Sequence, residues 1–137
     1  MQVNQITSKI IECAMRIHTR VGPGLYESVY ETLMEYEMQK SGLKVERQYP
    51  IPLVYDDLKF DDGFRADFLV EGCVIVEIKS LELLAPVHYK QVLTYLSCLD
   101  LQVALMINFG EEHLRNGIKR IVHKYVGRSP SEGAIDN

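Results

Sequence analysis

In the stretch RADFLVEGCVIVEIKS, Arg65 to Ser80, three charges interrupt two apolar runs. Asp67 falls in the first run; Glu77 and Lys79 fall in the second, two residues apart. Strand interiors seldom carry such groups without a use for them. Two carboxylates held close repel each other unless a cation or a shared proton offsets them. A hard divalent cation such as Mg²⁺ takes oxygen ligands and commonly uses only one or two carboxylates. A lysine beside such a pair can stabilise a phosphoryl transition state or orient a water. The three side chains together suit metal-assisted hydrolysis of a phosphodiester. They also suit a plain salt-bridged outer face, Glu77 with Lys79 or Asp67 with Arg65.

Which chemistry is open to them depends on the pairing register. A two-residue turn at Glu71-Gly72 would put Asp67 and Glu77 on opposite faces of the hairpin. A three-residue loop, Glu71-Gly72-Cys73, sets Val70 opposite Val74 and Asp67 opposite Glu77. One face then gathers Ala66, Phe68, Val70, Val74, Val76 and Ile78, and the other gathers Arg65, Asp67, Leu69, Ile75, Glu77 and Lys79. A register is fixed by such segregation, and Gly72 suits the left-handed position that these loops use. The pattern predicts the three-residue loop, with the two carboxylates ~5 Å apart at Cβ.

The surrounding elements must hold that hairpin. Ile6, Ile10, Cys13 or Ala14, Ile17 and Val21 recur at helical spacing, which predicts a helix from Asn4 to about Arg20, ended by Gly22. Gly22-Pro23-Gly24 is a breaker. A second helix is expected from about Leu25 to Lys40, with Leu25, Val29, Leu33 and Met34 inward. The period then changes to two. LKVERQYPIPLVYD reads as an edge or bent strand, because Pro50 and Pro52 cannot donate to a ladder. DDLKFDDG reads as turns around a short separate strand. After the hairpin, Pro86 opens a helix, PVHYKQVLTYLSCL, that ends near Asp100. QVALMINF reads as a buried strand, and EHLRNGIKRIVHKYV as a last helix. The expected order is α-α-β-β-β-β-α-β-α, an α/β sandwich with a mixed sheet.

Length and composition fit one domain, with 137 residues, 47% apolar and 25% charged. Residues 1–126 form the expected domain, and the polar tail 127–137 reads as disordered. No apolar run is long enough for a membrane helix, and the N-terminus is not a secretory signal. Three cysteines without a CxxC pair suggest buried thiols in a reducing cytoplasm. The net charge of −4 argues against a general nucleic-acid coat. Between Glu111 and Arg128, five basic residues face two acids, which reads as a basic helix or simply as a solvated helix face. His18, His113 and His123 show no ligand spacing.

DFLVEGCVIVEIKS resembles the core of the PD-(D/E)XK nucleases: an acid, a short hairpin, then Glu-x-Lys on the next strand. Asp67, Glu77, Ile78 and Lys79 match it, and Ala66 stands where a proline is usual. GLYESVYE matches the GxxExxY signature of a family placed among those nucleases, at Gly24, Glu27 and Tyr30. KQVLTYL resembles the Gln-x-x-x-Tyr motif of RecB-like nucleases, at Gln91 and Tyr95. VALMINFG looks like the strand that follows in the GxxExxY family, so the similarity runs from about Val21 to Tyr125.

This resemblance implies a restriction-endonuclease-like three-layer sandwich, with a mixed central sheet flanked by helices. It implies that Asp67, Glu77 and the Ile78 backbone carbonyl hold Mg²⁺ or Mn²⁺, with Lys79 catalytic and Glu27 a further acid near the metal. Glu27 also fits a helix-capping role, with Gly24 at the N-cap and Glu27 three residues on. Tyr30 orients Glu27, packs, or touches substrate. Gln91 and Tyr95 share a helix face and orient substrate or Lys79, unless they only pack. His88, on that same face, and Arg65 are candidate phosphate contacts. The implied function is a cytoplasmic nuclease acting on nucleic acid, DNA first, by a metal-activated water. The alternative is a non-catalytic nucleic-acid-binding or partner-binding module on the same fold. A homodimer would help so small a domain span a duplex.

Overall fold

The computed structural model describes residues 1–124, so the tail 127–137 lies outside the described residues. Its elements run α1 (Val3–Val21), α2 (Glu27–Lys40), β1 (Val45–Tyr55), β2 (Leu58–Val70), β3 (Val74–Lys79), α3 (Pro86–Leu99), β4 (Val103–Asn108), a 3₁₀ turn (Leu114–Gly117) and β5 (Ile118–Val122). The sheet order is β1-β2-β3-β4-β5. Every neighbouring pair is antiparallel except β3 and β4, which α3 connects as a parallel pair.

Two cores cover the two faces of this sheet. On one face, α1 and α2 bury Ile6, Ile10, Tyr30 and Met34 against Phe68, Val70, Val74, Val76, Ile78 and Ile107. On the other, α3 brings Val92, Tyr95 and Leu96 against Leu69, Ile75, Ala104 and Met106. The central strands β3 and β4 are therefore buried on both sides and read as near-continuous apolar runs. The edge strand β1 carries Pro50 and Pro52, where a missing donor is tolerated.

Several expectations change. The turn material and the short strand before the hairpin are one long strand, β2, which pairs with β1 around a two-residue turn at Asp56-Asp57. Only three strands precede α3. The last helix is absent among the described residues: the chain makes a 3₁₀ turn and then strand β5. Gly117 explains the switch, because a β-carbon there would meet the Asn108 carbonyl, and the β-branched run Ile118, Ile121, Val122 favours a strand. The basic helix goes with it. Arg120 instead ties β5 to α1, donating to Asn4 Oδ1 at 2.9 Å and Thr7 Oγ1 at 3.3 Å. Of the three free thiols only Cys13 is buried; Cys73 and Cys98 are half-buried.

Helix α1 buries its expected stripe, apart from Val21, which is exposed. Helix α2 buries Met34 as expected but turns most of its expected stripe outward. Its buried face is Tyr30, Met34 and Met38, while Leu25 and Val29 are exposed and Leu33 is half-buried. The helix carries two apolar stripes, and the one that buries the largest side chains wins. Tyr30 lies flat on Phe109, rings 4.4 Å apart and 7° from parallel. Its hydroxyl donates to the Gly22 carbonyl and accepts from the Leu25 N–H.

Candidate active site

The hairpin takes the three-residue register, but Ala66, expected on the face of Phe68 and Val70, packs in the opposite core with Leu69 and Ile75, because the regular alternation breaks at Asp67. Val70 pairs with Val74, Leu69 with Ile75 and Phe68 with Val76. Glu71 and Gly72 sit in the loop at φ 53° and 68°. The next level is Asp67 and Glu77, and there carboxylates replace the backbone ladder. The Asp67 N–H donates to Glu77 Oε1 at 2.8 Å, and the Ile78 N–H donates to Asp67 Oδ2 at 2.7 Å. Each carboxylate is thus pinned by a backbone amide across the pair, and each keeps one oxygen clear of that exchange.

Neither carboxylate has an ion-pair partner among the described residues. Arg65 pairs with Asp62 at 2.7 Å rather than with Asp67. The Lys79 ammonium makes no ion pair or hydrogen bond with a described residue. The salt-bridged outer face is therefore not what the chain builds. Burial, together with the repulsion of Asp67, pushes Glu77 up to about 8. Burial and the nearby Glu31 and Glu27 charges push Asp67 up to about 6, against the Ile78 hydrogen bond that lowers it. Both shifts say that a second negative charge in this pocket is resisted. Lys79 lies close enough to favour ionisation of both groups.

Helix α2 brings acids to this level. The N-cap of α2 is Tyr26, so Glu27 is the first helical residue. This corrects the capping alternative, which needs Gly24 at the N-cap. Glu27 is exposed, and its charge bears on both Asp67 and Glu77. Glu31, one turn further on, is buried. It accepts from Arg47 Nε at 3.1 Å and from Gln48 Nε2 at 2.6 Å. Gln48 Nε2 also reaches Asp67 Oδ1 at 3.4 Å, so this one amide links the helix acid to the hairpin acid. Gln48 holds a left-handed backbone, φ 53°, in the middle of β1. That conformation is costly for a residue other than glycine, and such strain concentrates at functional sites. Glu31 and Gln48 are absent from the sequence reading. The i, i+4 spacing of Glu31 from Glu27 was the available signal; nothing around Gln48 marked it.

Helix α3 supplies the far wall. Tyr95 is buried, and its ring lies 5.5 Å from that of Phe64. Burial, then the Glu77 and Asp67 charges, push its hydroxyl up to about 12, so it stays a neutral donor near the pair. Gln91, one turn before it, is exposed. His88 Nδ1 accepts from the Ala85 N–H at 2.9 Å and closes the N-terminus of α3, which fixes the neutral ring as its Nε2–H tautomer. Tyr30, expected among the substrate contacts, is fully buried with its hydroxyl spent on the loop before α2. Arg65 is exposed and engaged with Asp62.

The exit of β3 is clamped to the exit of β4. Asn108, fully buried, accepts at Oδ1 from the Leu81 N–H and donates from Nδ2 to the Leu81 carbonyl, both at 2.9 Å. Its amide extends the parallel pairing by one step beyond Lys79, its Cα partner. The Phe109 N–H donates to the Lys79 carbonyl at 2.8 Å, and Ser80 Oγ donates to the Leu25 carbonyl at 2.7 Å. The strand end bearing Lys79 and the loop that leads into Glu27 are thereby held together.

Among the described residues no three His, Cys, Asp or Glu side chains gather as a ready metal cage. The donor set nonetheless fits a hard dication. Two carboxylates that resist joint ionisation, with Asp67 Oδ1 reached only by the Gln48 amide at 3.4 Å and Glu77 Oε2 without a hydrogen bond from a described residue, suit an ion that keeps several of its own waters. A family model described as the PD-(D/E)XK nuclease superfamily matches residues 4–121, most of the chain. The mixed five-stranded sheet between helical layers is consistent with the restriction-endonuclease-like domain of that group. No curated protein and no solved structure gives a significant match. No described helix is long and apolar enough to cross a membrane.

Proposed function

The chain belongs to the PD-(D/E)XK nuclease superfamily, and from that premise we propose that it is a metal-dependent nuclease that hydrolyses DNA phosphodiester bonds. The observation that carries the reading is the crosswise carboxylate pair. Asp67 and Glu77 are fixed by backbone amides, left without a cation of their own, and resist joint ionisation. A structural ion pair would look otherwise: its cation would be in place.

In this reading Asp67, Glu77 and the Ile78 carbonyl hold Mg²⁺ or Mn²⁺, with Glu27 within electrostatic reach. When bound, such an ion supplies a low-pKa water and polarises the phosphoryl oxygen. Lys79, two residues beyond Glu77 on the same face, has its ammonium free to meet the reacting phosphate. Its charge stabilises the negative charge that builds on the nonbridging oxygens. Tyr95, a neutral donor beside the acids, orients the water or a phosphate oxygen, with Gln91 at the outer end of the same helix face. Glu31 and Gln48 position Asp67, and Tyr30 positions the loop that leads into Glu27. His88 and Arg65 lie at the rim, where a phosphate of the strand could reach them. The GxxExxY signature at Gly24, Glu27 and Tyr30 supports the narrower family. The protein is expected to act in the cytoplasm.

The test is cleavage of single-stranded, duplex and branched DNA, and of RNA, with Mg²⁺ or Mn²⁺, beside Asp67→Ala and Lys79→Ala. Cleavage lost in both variants supports the reading. Cleavage that persists in both would come from a contaminant. No cleavage of any substrate, with no Mn²⁺ held by the wild type, would favour a non-catalytic binding module.

A further inference from the structure

A cleft of about 490 Å³ opens at the start of α2, lined by Glu27 and by Ser80, the residue that follows Lys79. Gly24, Tyr26 and Glu27 form one wall, and Ser80, Glu82 and Gly110 form the other. The volume lies within the range of small-ligand clefts, about 300–1,000 Å³. The Ser80–Leu25 hydrogen bond joins the walls at the base. Gly110 admits the close approach of the second wall, since a β-carbon there would drive into the Leu81 carbonyl. Ser80 follows Lys79 directly, and Glu27 of the other wall acts on the charges of Asp67 and Glu77, so the cleft adjoins the proposed site.

Its lining is chemically selective. No lysine, arginine or histidine contributes to it, and two carboxylates do. A phosphate is therefore disfavoured inside. Tyr26 is 82% exposed, and its ring makes no contact with a described aromatic and its hydroxyl no hydrogen bond. An exposed ring beside carboxylate acceptors suits a neutral, flat ligand that carries N–H donors. Nucleobases with exocyclic amino groups have that chemistry, and aromatic side chains stack on them without needing a duplex. A base can enter only if it is unpaired and unstacked from its neighbours.

We propose that this cleft takes an unpaired nucleobase adjoining the scissile phosphate, with Tyr26 stacked on it, and that the substrate is single-stranded nucleic acid or the single-stranded part of a branched one. Any strand is held partly through its phosphates, but only a single strand can add a stacked base to those contacts. The proposal rests on the nuclease reading for the position of the phosphate, but the cleft can be tested without cleavage.

Wild type, Tyr26→Ala and Tyr26→Phe are titrated in EDTA with a single-stranded DNA containing 2-aminopurine, whose fluorescence is quenched by stacking, and with the same sequence as a blunt duplex. Wild type and Tyr26→Phe are expected to bind the single strand and quench it. Tyr26→Ala should bind about tenfold more weakly, the effect of one lost stack. The duplex should bind about tenfold more weakly still than the single strand, and oligo-dT should bind less well than oligo-dC. With Mn²⁺ present, Tyr26→Ala should raise KM for the single strand about tenfold and leave kcat within about twofold. Equal quenching by wild type and Tyr26→Ala, or a duplex bound as tightly as the single strand, would overturn the proposal. Cleavage that needs Asp67 but shows no Tyr26 effect sinks the cleft and spares the nuclease. Quenching that needs Tyr26, without cleavage by any form, supports the cleft and sinks the nuclease.

Discussion

Removing one charge from the carboxylate pair should change how stability depends on pH, and the change follows from the site's geometry. In the metal-free protein Glu77 is pushed up to about 8, from an ordinary 4.5, by burial and by Asp67. Below 4.5 it is protonated whether the chain is folded or unfolded. Between that value and about 8 the folded state holds a proton that the unfolded state has released. Raising the pH through this window therefore favours unfolding. One retained proton corresponds to a loss of about 1.4 kcal/mol per pH unit. From about pH 5.5 to about pH 7.5 the wild type should lose roughly 2–3 kcal/mol from Glu77. Asp67, pushed up to about 6, adds to the loss at the acid end of that range.

Glu77→Gln removes the titrating group and keeps the structure around it. The Gln carbonyl oxygen can still accept from the Asp67 N–H, and Asp67 loses its nearest like charge. The variant should then keep only the Asp67 contribution at the acid end, which burial, Glu31 and Glu27 cause, and be much flatter than the wild type above it. The quantity to read is the difference between two urea-denaturation series in EDTA, wild type and Glu77→Gln, at the two ends of the window. That difference should shift by roughly 2–3 kcal/mol in favour of Gln as the pH rises. The Asp67 contribution, common to both proteins, largely cancels. Two parallel series would mean that Glu77 is already ionised at the acid end. The pair would then be solvated or neutralised, and the case for a cation site would lose its physical basis.

Four further outcomes are expected. Mn²⁺ binding by the wild type near neutral pH should release about one proton, read by calorimetry in buffers of different ionisation enthalpy, and Glu77→Gln should release none. Asp67→Asn and Lys79→Ala should each lower kcat by about a thousandfold or more while leaving the circular dichroism spectrum unchanged, since each alters the charge that meets the phosphate or metal. Tyr30→Phe leaves the Gly22 carbonyl and the Leu25 N–H short of a partner, and should cost about 1–2 kcal/mol in denaturant melts. Gly72→Ala meets nothing within 4 Å but sits at φ 68°, and should cost about 1–2 kcal/mol through backbone strain alone.

The hairpin was legible because its information is local. Alternation fixes the face of each residue near the loop once the loop length is chosen, and only the three-residue loop separates charged from apolar positions; past Asp67 the pattern breaks, and Ala66 falls on the other side from Phe68. The crossover helix and the buried strand β4 were legible for the same reason, with Pro86 and Asp100 marking the helix ends. What escaped depends on longer range. Helix α2 has two apolar stripes, and Phe109, seventy-nine positions beyond Tyr30, decides between them. Strand β5 carries charges at a spacing that a helix would also show, and it becomes a strand because Gly117 lies against the Asn108 carbonyl of its neighbour. Glu31 and Gln48 belong to a helix and an edge strand that meet only after the sheet is assembled.

Three separate costs fall on one level of the sheet. Like charges face each other at Asp67 and Glu77. The backbone ladder there gives way to carboxylate hydrogen bonds. Gln48, across from Asp67 between two regular pairs of β1 and β2, holds a left-handed backbone. Sequences tend to agree with their fold at every local step, and departures cluster where function demands them. A level chosen for stability would replace the acids with valine or isoleucine, as at the level just below, where Phe68 meets Val76. The two cores on either side can absorb the cost, and a ligand bound only by the folded state would offset it further. A cation between the acids would be such a ligand. Saturating Mn²⁺ should therefore stabilise the wild type more as pH rises, opposite in sign to the metal-free trend, and should leave Glu77→Gln nearly unmoved. Thermal melts with and without Mn²⁺ across the same pH range decide it. A metal-induced rise in Tm that is equal in both proteins would mean the ion binds elsewhere, and the strain at this level would need another cause.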